Sequence, residues 1–268
     1  MKNPLMTAGA PSIFITGAAA GIGRATAELF AARGWFVGLY DLNEAGVQEL
    51  ARQWGADRAI AGRLDVTDAV QFEQALARFF EAAGRRLDLL FNNAGIAFCN
   101  DFEQIPLARH HAEVDVNLKG VLNGCYLALP FLKQTPGARV VSMCSASAFY
   151  GAPSFASYSA TKFAVRGLSE ALNIEWRRHG IRVMDLMPLF VDTPMVAGME
   201  RKPKSMEVLG LRLSAGDIAR TVWRAAHWPS WWPKVHFFPG FQSGFGYILC
   251  KLSPGWLNGL TTRLMTGY

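Results

Sequence analysis

This chain has few charges, few cysteines and no long apolar run. Asp, Glu, Lys and Arg make up only 18% of its 268 residues. No basic stretch is dense enough for a nucleic-acid patch, so nucleic acid is not expected as a partner. Cys99, Cys125, Cys144 and Cys250 form no C-x-x-C pair and no zinc-like spacing. That argues against a disulfide scaffold or a zinc site, and the four read as reduced thiols of a cytoplasmic protein. Met1 to Ala10 holds one Lys and no sustained apolar stretch, so no secretory signal is expected. The uncharged run from Val235 to Cys250 is broken by Pro239 and three glycines. It is too short and too interrupted for a transmembrane helix. Internal repeats and low-complexity linkers are also missing. With 51% apolar residues, one α/β domain over residues 1–268 is the simplest organisation.

The net charge of +6 is unevenly placed. Residues 201–268 carry nine Lys or Arg against only Glu207 and Asp217, and the rest of the chain is near neutral. Two readings stand: a solvated basic face, or attraction to an anionic substrate or membrane surface. The solvated face is the preferred one.

Thr16-Gly17-Ala18-Ala19-Ala20-Gly21-Ile22-Gly23 is the most informative segment. It follows the apolar run Ser12-Ile13-Phe14-Ile15, read as a buried strand, and precedes a helical pattern from Arg24 to Ala31. A strand, a glycine-rich turn and a helix start together make a phosphate site. The glycines permit φ > 0 and close approach of a pyrophosphate. The helix start offers unpaired N–H groups and the positive end of its dipole.

Further strands are expected at 35–40, 58–62, 88–92, 138–144, 181–187 and 234–238, with helices notably at 68–83, 107–133, 155–179 and 214–226. Continuous apolar strands alternating with helices predict a doubly wound parallel sheet of Rossmann type, with ligands at the strand C-termini. Its core spans about 12–238, with a segment at 188–213 breaking the rhythm and a hydrophobic extension at 239–268.

Asp41 ends the second strand, 18 residues past Gly23. It is placed to bind adenosine ribose hydroxyls and to repel a 2′-phosphate. The other reading is that Asp41, or Asn43 beside it, caps the next helix. Ala20 offers no cation for a 2′-phosphate, although Arg24 is near. NAD is therefore preferred over NADP.

Tyr158 and Lys162 are four apart and share a helix face. Ser145 lies 13 residues before Tyr158, at the rim of the fifth strand. A lone Y-x-x-x-K is weak, but this one follows a strand ending in Val140-Val141-Ser142-Met143-Cys144-Ser145.

These motifs resemble the short-chain dehydrogenase/reductase family. The likeness runs from about Ser12 to about Phe238. It includes Leu64-Asp65-Val66-Thr67-Asp68, Phe91-Asn92-Asn93-Ala94-Gly95, Asn117-Leu118-Lys119-Gly120, and Pro188 to Thr193. The resemblance implies an oxidoreductase with Tyr158 as general acid/base, Ser145 orienting the substrate oxygen, and Lys162 tuning Tyr158. Asn117 would hold water in a proton relay. A free tyrosine titrates near 10, so base catalysis near neutrality requires the phenolate to be favoured by roughly 3–4 kcal/mol. Lys162 and the nicotinamide cation are expected to supply this. Gly17, Gly21, Ile22 and Gly23 would meet the pyrophosphate and Asp41 the ribose. Asp65 and Val66 would border the adenine, with Asn92, Ala94 and Gly95 along the adenine side. Tyr158 and Lys162 would hold the nicotinamide ribose, and Pro188, Val191 and Thr193 would lie by the nicotinamide. The family usually has Pro-Gly where this chain has Pro188-Leu189, and the bulk of Leu189 would be expected to narrow the pocket. Ser142 reads as structural, and Ser147 as a possible aid to the substrate. His110 and His111 would point apart, and no metal site is expected.

Phe149, Tyr150, Phe155, Leu189, Phe190, Met195 and Met199 would form an apolar wall suited to a small hydrophobic alcohol or ketone. In the extension, Trp256, Leu260 and Leu264 recur at helical spacing and are expected to share one buried face. With the aromatic cluster around Trp231, this tail would cover core, substrate cleft or a subunit contact of a homodimer or homotetramer. A membrane-surface helix is the less favoured reading. Two further readings are an NADPH-dependent ketoreductase and a nucleotide-binding sensor or scaffold without turnover.

Overall fold

The computed structural model describes residues 9–268. Strands β1 (Ser12–Thr16), β2 (Phe36–Asp41), β3 (Ala59–Arg63), β4 (Leu89–Asn92), β5 (Arg139–Met143) and β6 (Arg182–Leu186) alternate with helices. The helices are α1 (Gly21–Ala32), α2 (Glu44–Trp54), α3 (Ala69–Ala82), α4 (Leu107–Val114), α5 (Gly120–Leu132) and α6 (Ala156–Glu175). After β6 come β7 (Val191–Asp192), α7 (Pro194–Ala197), α8 (Lys204–Leu209), β8 (Leu213–Ser214), α9 (Ala215–Ala226) and β9 (His236–Phe237). Helices α10 (Gly240–Leu252) and α11 (Gly255–Thr266) close the chain.

The main sheet runs β3-β2-β1-β4-β5-β6-β9, every pair parallel. This is the expected doubly wound Rossmann arrangement. Strand order reverses between β1 and β4, which opens a crevice at their C-terminal ends. Both faces are covered, so alternate residues of one strand enter different cores. Phe14 joins Phe72, Phe79 and Leu90 on one face. Its neighbours Ile13 and Ile15 join Phe30, Val37 and Ile218 on the other. Burial on both sides explains why the strands read as continuous apolar runs.

The helix expected over 107–133 is present as one helical run, α4 and α5 joined through a π turn at Asp115–Lys119. Two expectations for the C-terminal region are corrected. The extension begins at Pro239, which starts α10, because proline suits the first turn of a helix. The glycines that made this run look broken let α10 approach the body. A Cβ at Gly244 would lie 3.6 Å from Phe238 and one at Gly246 4.0 Å from Phe149. The face Trp256–Leu260–Leu264 points outward: Trp256 is 72% exposed and Leu264 71%. The inward face is set one residue over, where Leu257, Thr261 and Met265 line the cleft. Finally, Trp231 and Trp232 precede β9 and are exposed. Because β9 is parallel to β6, they lie at the opposite end of the sheet from the cleft.

The segment 188–213 forms β7, α7 and α8, then enters β8, with β7 and β8 pairing in parallel. Asn43, not Asp41, caps α2, its side chain accepting from the Gly46 N–H at 3.1 Å.

Candidate active site

The turn after β1 is held open by glycine. Gly17 and Gly21 have φ of +68° and +53°, a region other residues rarely occupy. A Cβ on Gly23 would sit 2.0 Å from the Gly17 carbonyl oxygen. Helix α1 begins at Gly21 with no side-chain cap and no acidic residue in its first turn. Its leading N–H groups and dipole are therefore available to an anion.

Two side chains brace this cradle. Asp41 accepts from the backbone N–H of Ala19 and of Asn43, each at 2.9 Å. Asn93 donates to the carbonyl oxygens of Thr16 and Gly17, both at 3.0 Å. Sequence reasoning gave Asn93 no role. Its signal was only a polar residue following a buried strand that pairs with β1.

The catalytic candidates come together at the far side of the crevice. Ser145 follows β5, and Tyr158 and Lys162 lie on α6. Lys162 Nζ donates to the Met143 carbonyl at 2.8 Å and sits 5.4 Å from the Tyr158 ring centre. The Ser145 hydroxyl lies near Tyr158 and accepts from the Ser147 N–H at 3.2 Å. Tyr158 is half-buried and lines the cleft. That burial raises its pKa, and the nearby Ser145 hydroxyl only partly offsets it. Burial also lowers Lys162 to about 8. The protein alone thus keeps the phenol neutral; the expected favouring of the phenolate concerns the cofactor-bound site.

Asn117 lies inside the π turn and is buried. Its side chain accepts from Ile96 N–H and donates to the Ile96 carbonyl, both at 2.8 Å. The amide is thus committed to the irregular segment that follows Gly95. One turn earlier, the wholly buried Glu113 accepts from the Phe98 N–H at 2.7 Å through Oε1, while Oε2 has no partner. Burial raises Glu113, against the pull of the Phe98 bond, the nearby Ser157 hydroxyl and Lys162. Glu113 was missed in the sequence, though it stands four before Asn117 on the buried face of the same helical run.

A sequence profile described as short chain dehydrogenase matches residues 11–204. The chain belongs to the short-chain dehydrogenase family. Oxidoreductase UcpA of Salmonella typhimurium is 34% identical over 191 residues, covering 70% of this chain and 72% of that protein. A 3-ketoacyl-(acyl-carrier-protein) reductase from Brucella melitensis, solved with NADH, superimposes with a TM-score of 0.77 at 27% identity. It covers 86% of this chain and 97% of its own. An alcohol dehydrogenase from the archaeon Thermococcus sibiricus, solved with 5-hydroxy-NADP, gives a TM-score of 0.75 at 26% identity, covering 86% and 96%. This short-chain dehydrogenase is accordingly an oxidoreductase that uses a nicotinamide cofactor.

The residues present fit such a cofactor. A cavity of about 920 Å³ runs from Gly17, Gly21, Ile22 and Asp41, past Ala94 and Gly95, to Ser145, Tyr158 and Lys162. Pro188, Val191 and Thr193 line it as well. Four expected contacts are not on its wall. Gly23 lies behind the turn. Asn92 is buried and donates to Ser142 Oγ at 3.4 Å, so it bonds within the sheet. Asp65 accepts from Thr67 N–H and Oγ1 at 2.9 and 2.8 Å, shaping its own turn. Val66 packs where a Cβ on Gly120 would stand, 2.7 Å from its Cγ2. Arg24 pairs with Glu28 at 2.8 Å.

All seven residues of the expected apolar wall line this short-chain dehydrogenase cavity, joined by Phe241, Leu249, Leu257 and Met265 from the tail. Ser147 also lines it, with a buried Oγ that has no partner. Cys144 is buried beside the Lys162 carbonyl, and burial pushes its thiol up to about 12, too high for thiolate chemistry.

Proposed function

We propose that this protein transfers hydride between NAD(H) and a hydrophobic secondary alcohol or ketone. The observation that carries the reading is the convergence of Ser145, Tyr158 and Lys162 at the inner end of an apolar-walled cavity whose other end is the Gly21–Asp41 cradle. When bound, the nicotinamide supplies or accepts the hydride. The protein's part is to bind, orient and move the proton. Ser145 Oγ donates to the substrate oxygen, and the Tyr158 hydroxyl gives its proton to that oxygen in reduction and takes it back in oxidation. Because the phenol is neutral in the protein alone, Tyr158 is ready as an acid; its action as a base depends on the cofactor's positive ring nearby. Lys162 holds the cofactor ribose, and the unpartnered oxygen of Glu113 accepts from a relay water beyond it. Ser147 is a second polar contact for the substrate.

Asp41 supports the preference for NAD, because its carboxylate faces the cavity and would repel a 2′-phosphate. Arg24, the nearby cation, is already paired with Glu28. The Leu122 and Tyr126 side chains of α5 and Phe163 and Ile174 of α6 are exposed apolar groups. They support a homodimer through these helices, the usual fate of such a face. The four free thiols fit the reducing cytoplasm. Turnover of a panel of apolar secondary alcohols and ketones with each cofactor tests the reading. Failure of every pair, with NADH still binding, would favour the sensor or scaffold alternative.

A further inference from the structure

The tail is apolar on two sides. Its inner side walls the cavity through Phe241, Gly246, Leu257 and Met265. Its outer side carries Ile248 and Leu252 on α10 and Trp256, Leu260 and Leu264 on α11, with Leu252 80% exposed. The α11 residues recur every four positions, a single stripe along the helix. Phe241 is shared, 83% exposed while still touching the cavity.

Charge indicates what covers this side. Residues 236–268 contain no Asp or Glu, but they contain Lys251 and Arg263, both exposed. The end of α11 lies against α8, where Lys204 is 2.9 Å from a Cβ built on Gly267. Lys202 and Lys204 add exposed cations just before and within α8, whereas Arg201 is paired with Asp101 at 3.0 Å. A second copy related by a two-fold axis would set these cations against themselves without acids from the tail to pair them. An anionic lipid surface pairs them directly. At 13 and 12 residues, α10 and α11 are too short to cross a bilayer. Among the described residues no helix is long and apolar enough to do so. Lying in the interface plane, apolar side down, is the mode such helices suit.

We infer that α10 and α11 dock on an anionic bilayer and that apolar substrate reaches the cavity from the lipid between them. The access route rests on the proposed ketone/alcohol reading; the docking does not. Phe241 belongs to both sides, exposed and touching the cavity, so apolar surface is continuous from the outer side to the cavity wall.

The test is co-sedimentation of the intact protein with vesicles of phosphatidylcholine containing phosphatidylglycerol, and with phosphatidylcholine alone. The protein is expected to bind the anionic vesicles and to be released by salt. Trp256→Glu and Leu252→Glu should each weaken binding by about tenfold or more. Lys251→Gln and Arg263→Gln should each cost about fivefold on anionic vesicles and little on neutral ones. NADH affinity should be unchanged in all four, which shows that the variants are folded. No binding of the unaltered protein to anionic vesicles at low salt would overturn the docking. So would a change from dimer to monomer by analytical ultracentrifugation in Trp256→Glu with vesicle binding intact, which would assign the face to a second copy. Turnover of soluble ketones is read separately, so its absence counts against the proposed reaction alone.

Discussion

Asp41 Oδ2 and the backbone N–H of Ala19 are 2.9 Å apart, and this bond ties the end of β2 to the glycine turn after β1. The carboxylate proposed to select NAD therefore also holds the phosphate cradle in shape. Its two duties separate by substitution. Asp41→Asn keeps an acceptor for Ala19 but loses the charge. It should keep NADH affinity within a few-fold and improve NADPH binding. Asp41→Ala should weaken both cofactors. Fluorescence titration with each nucleotide checks this, and a wild-type protein that binds NADPH more tightly would sink the NAD preference.

Tyr158→Phe removes the proton donor and leaves the ring in place. Turnover should fall by about 10²–10⁴-fold with cofactor affinity retained. An unchanged kcat would rule Tyr158 out. Glu113→Gln should leave substrate KM nearly unchanged but lower kcat and shift its pH profile, because Glu113 contacts the relay rather than the substrate. A purely structural role would instead lower stability without moving the profile.

Lys162 is a buried cation lowered by burial to about 8. A lowered lysine opposes folding below its folded pKa, and that cost fades as pH rises from about 8 towards 10.5. Lys162→Met should therefore raise stability at pH 7, by up to about 3 kcal/mol before loss of the Met143 bond. The gain should vanish near pH 10.5. Activity should be lost and cofactor binding weakened. Chemical denaturation of both proteins at pH 7 and in alkali checks the sign.

A second titrating cluster lies under α10. His236 on β9 contacts Asp185 of β6 and Glu170 of α6, each at 3.0 Å, with Arg166 and Tyr247 beside them. Burial raises Asp185 from 3.8 to about 6, against the pull of His236. Burial opposes the His236 charge, but the bond to Asp185 and the charges of Asp185 and Glu170 outweigh it and raise His236 above 6.5. Both groups thus hold protons in the folded state that the unfolded chain releases earlier. Their contribution is greatest on the acid side. It is lost as pH rises from about 4 to 6 for Asp185 and on through the raised value for His236. Tm should fall between pH 5.5 and 8, and Asp185→Asn should flatten that slope in thermal melts. An equally steep slope in the variant would show that other groups set it.

Removing residues 253–268 takes away Leu257, Thr261 and Met265 from the cavity wall, and also Tyr268, which contacts Asp101 and bonds Ser154 at 3.0 Å. KM for apolar substrates should rise several-fold while NADH affinity holds, since the cofactor end is built from earlier elements. Identical kinetics in the shortened protein would show that the tail takes no part in the site.

The local sequence by itself determined the parallel sheet, the glycine turn and the order of the catalytic residues. Each is written in neighbours along the chain: apolar runs buried on both faces, glycines where a Cβ would strike the backbone, and a tyrosine and lysine one helical turn apart. What joins distant segments was decided only by the fold. Asn93 reads as one more polar residue until β4 lies beside β1 and brings its amide to Thr16 and Gly17. Asn117 acquires its setting from a π turn, a change of hydrogen-bond register that no residue type announces. The tail shows the limit most clearly. Helical spacing reveals that Trp256, Leu260 and Leu264 share a face, but both sides of α11 carry apolar residues. Periodicity cannot say which side meets the cavity and which faces outward. Only the packing of α11 against α8 and the cleft sets that rotation.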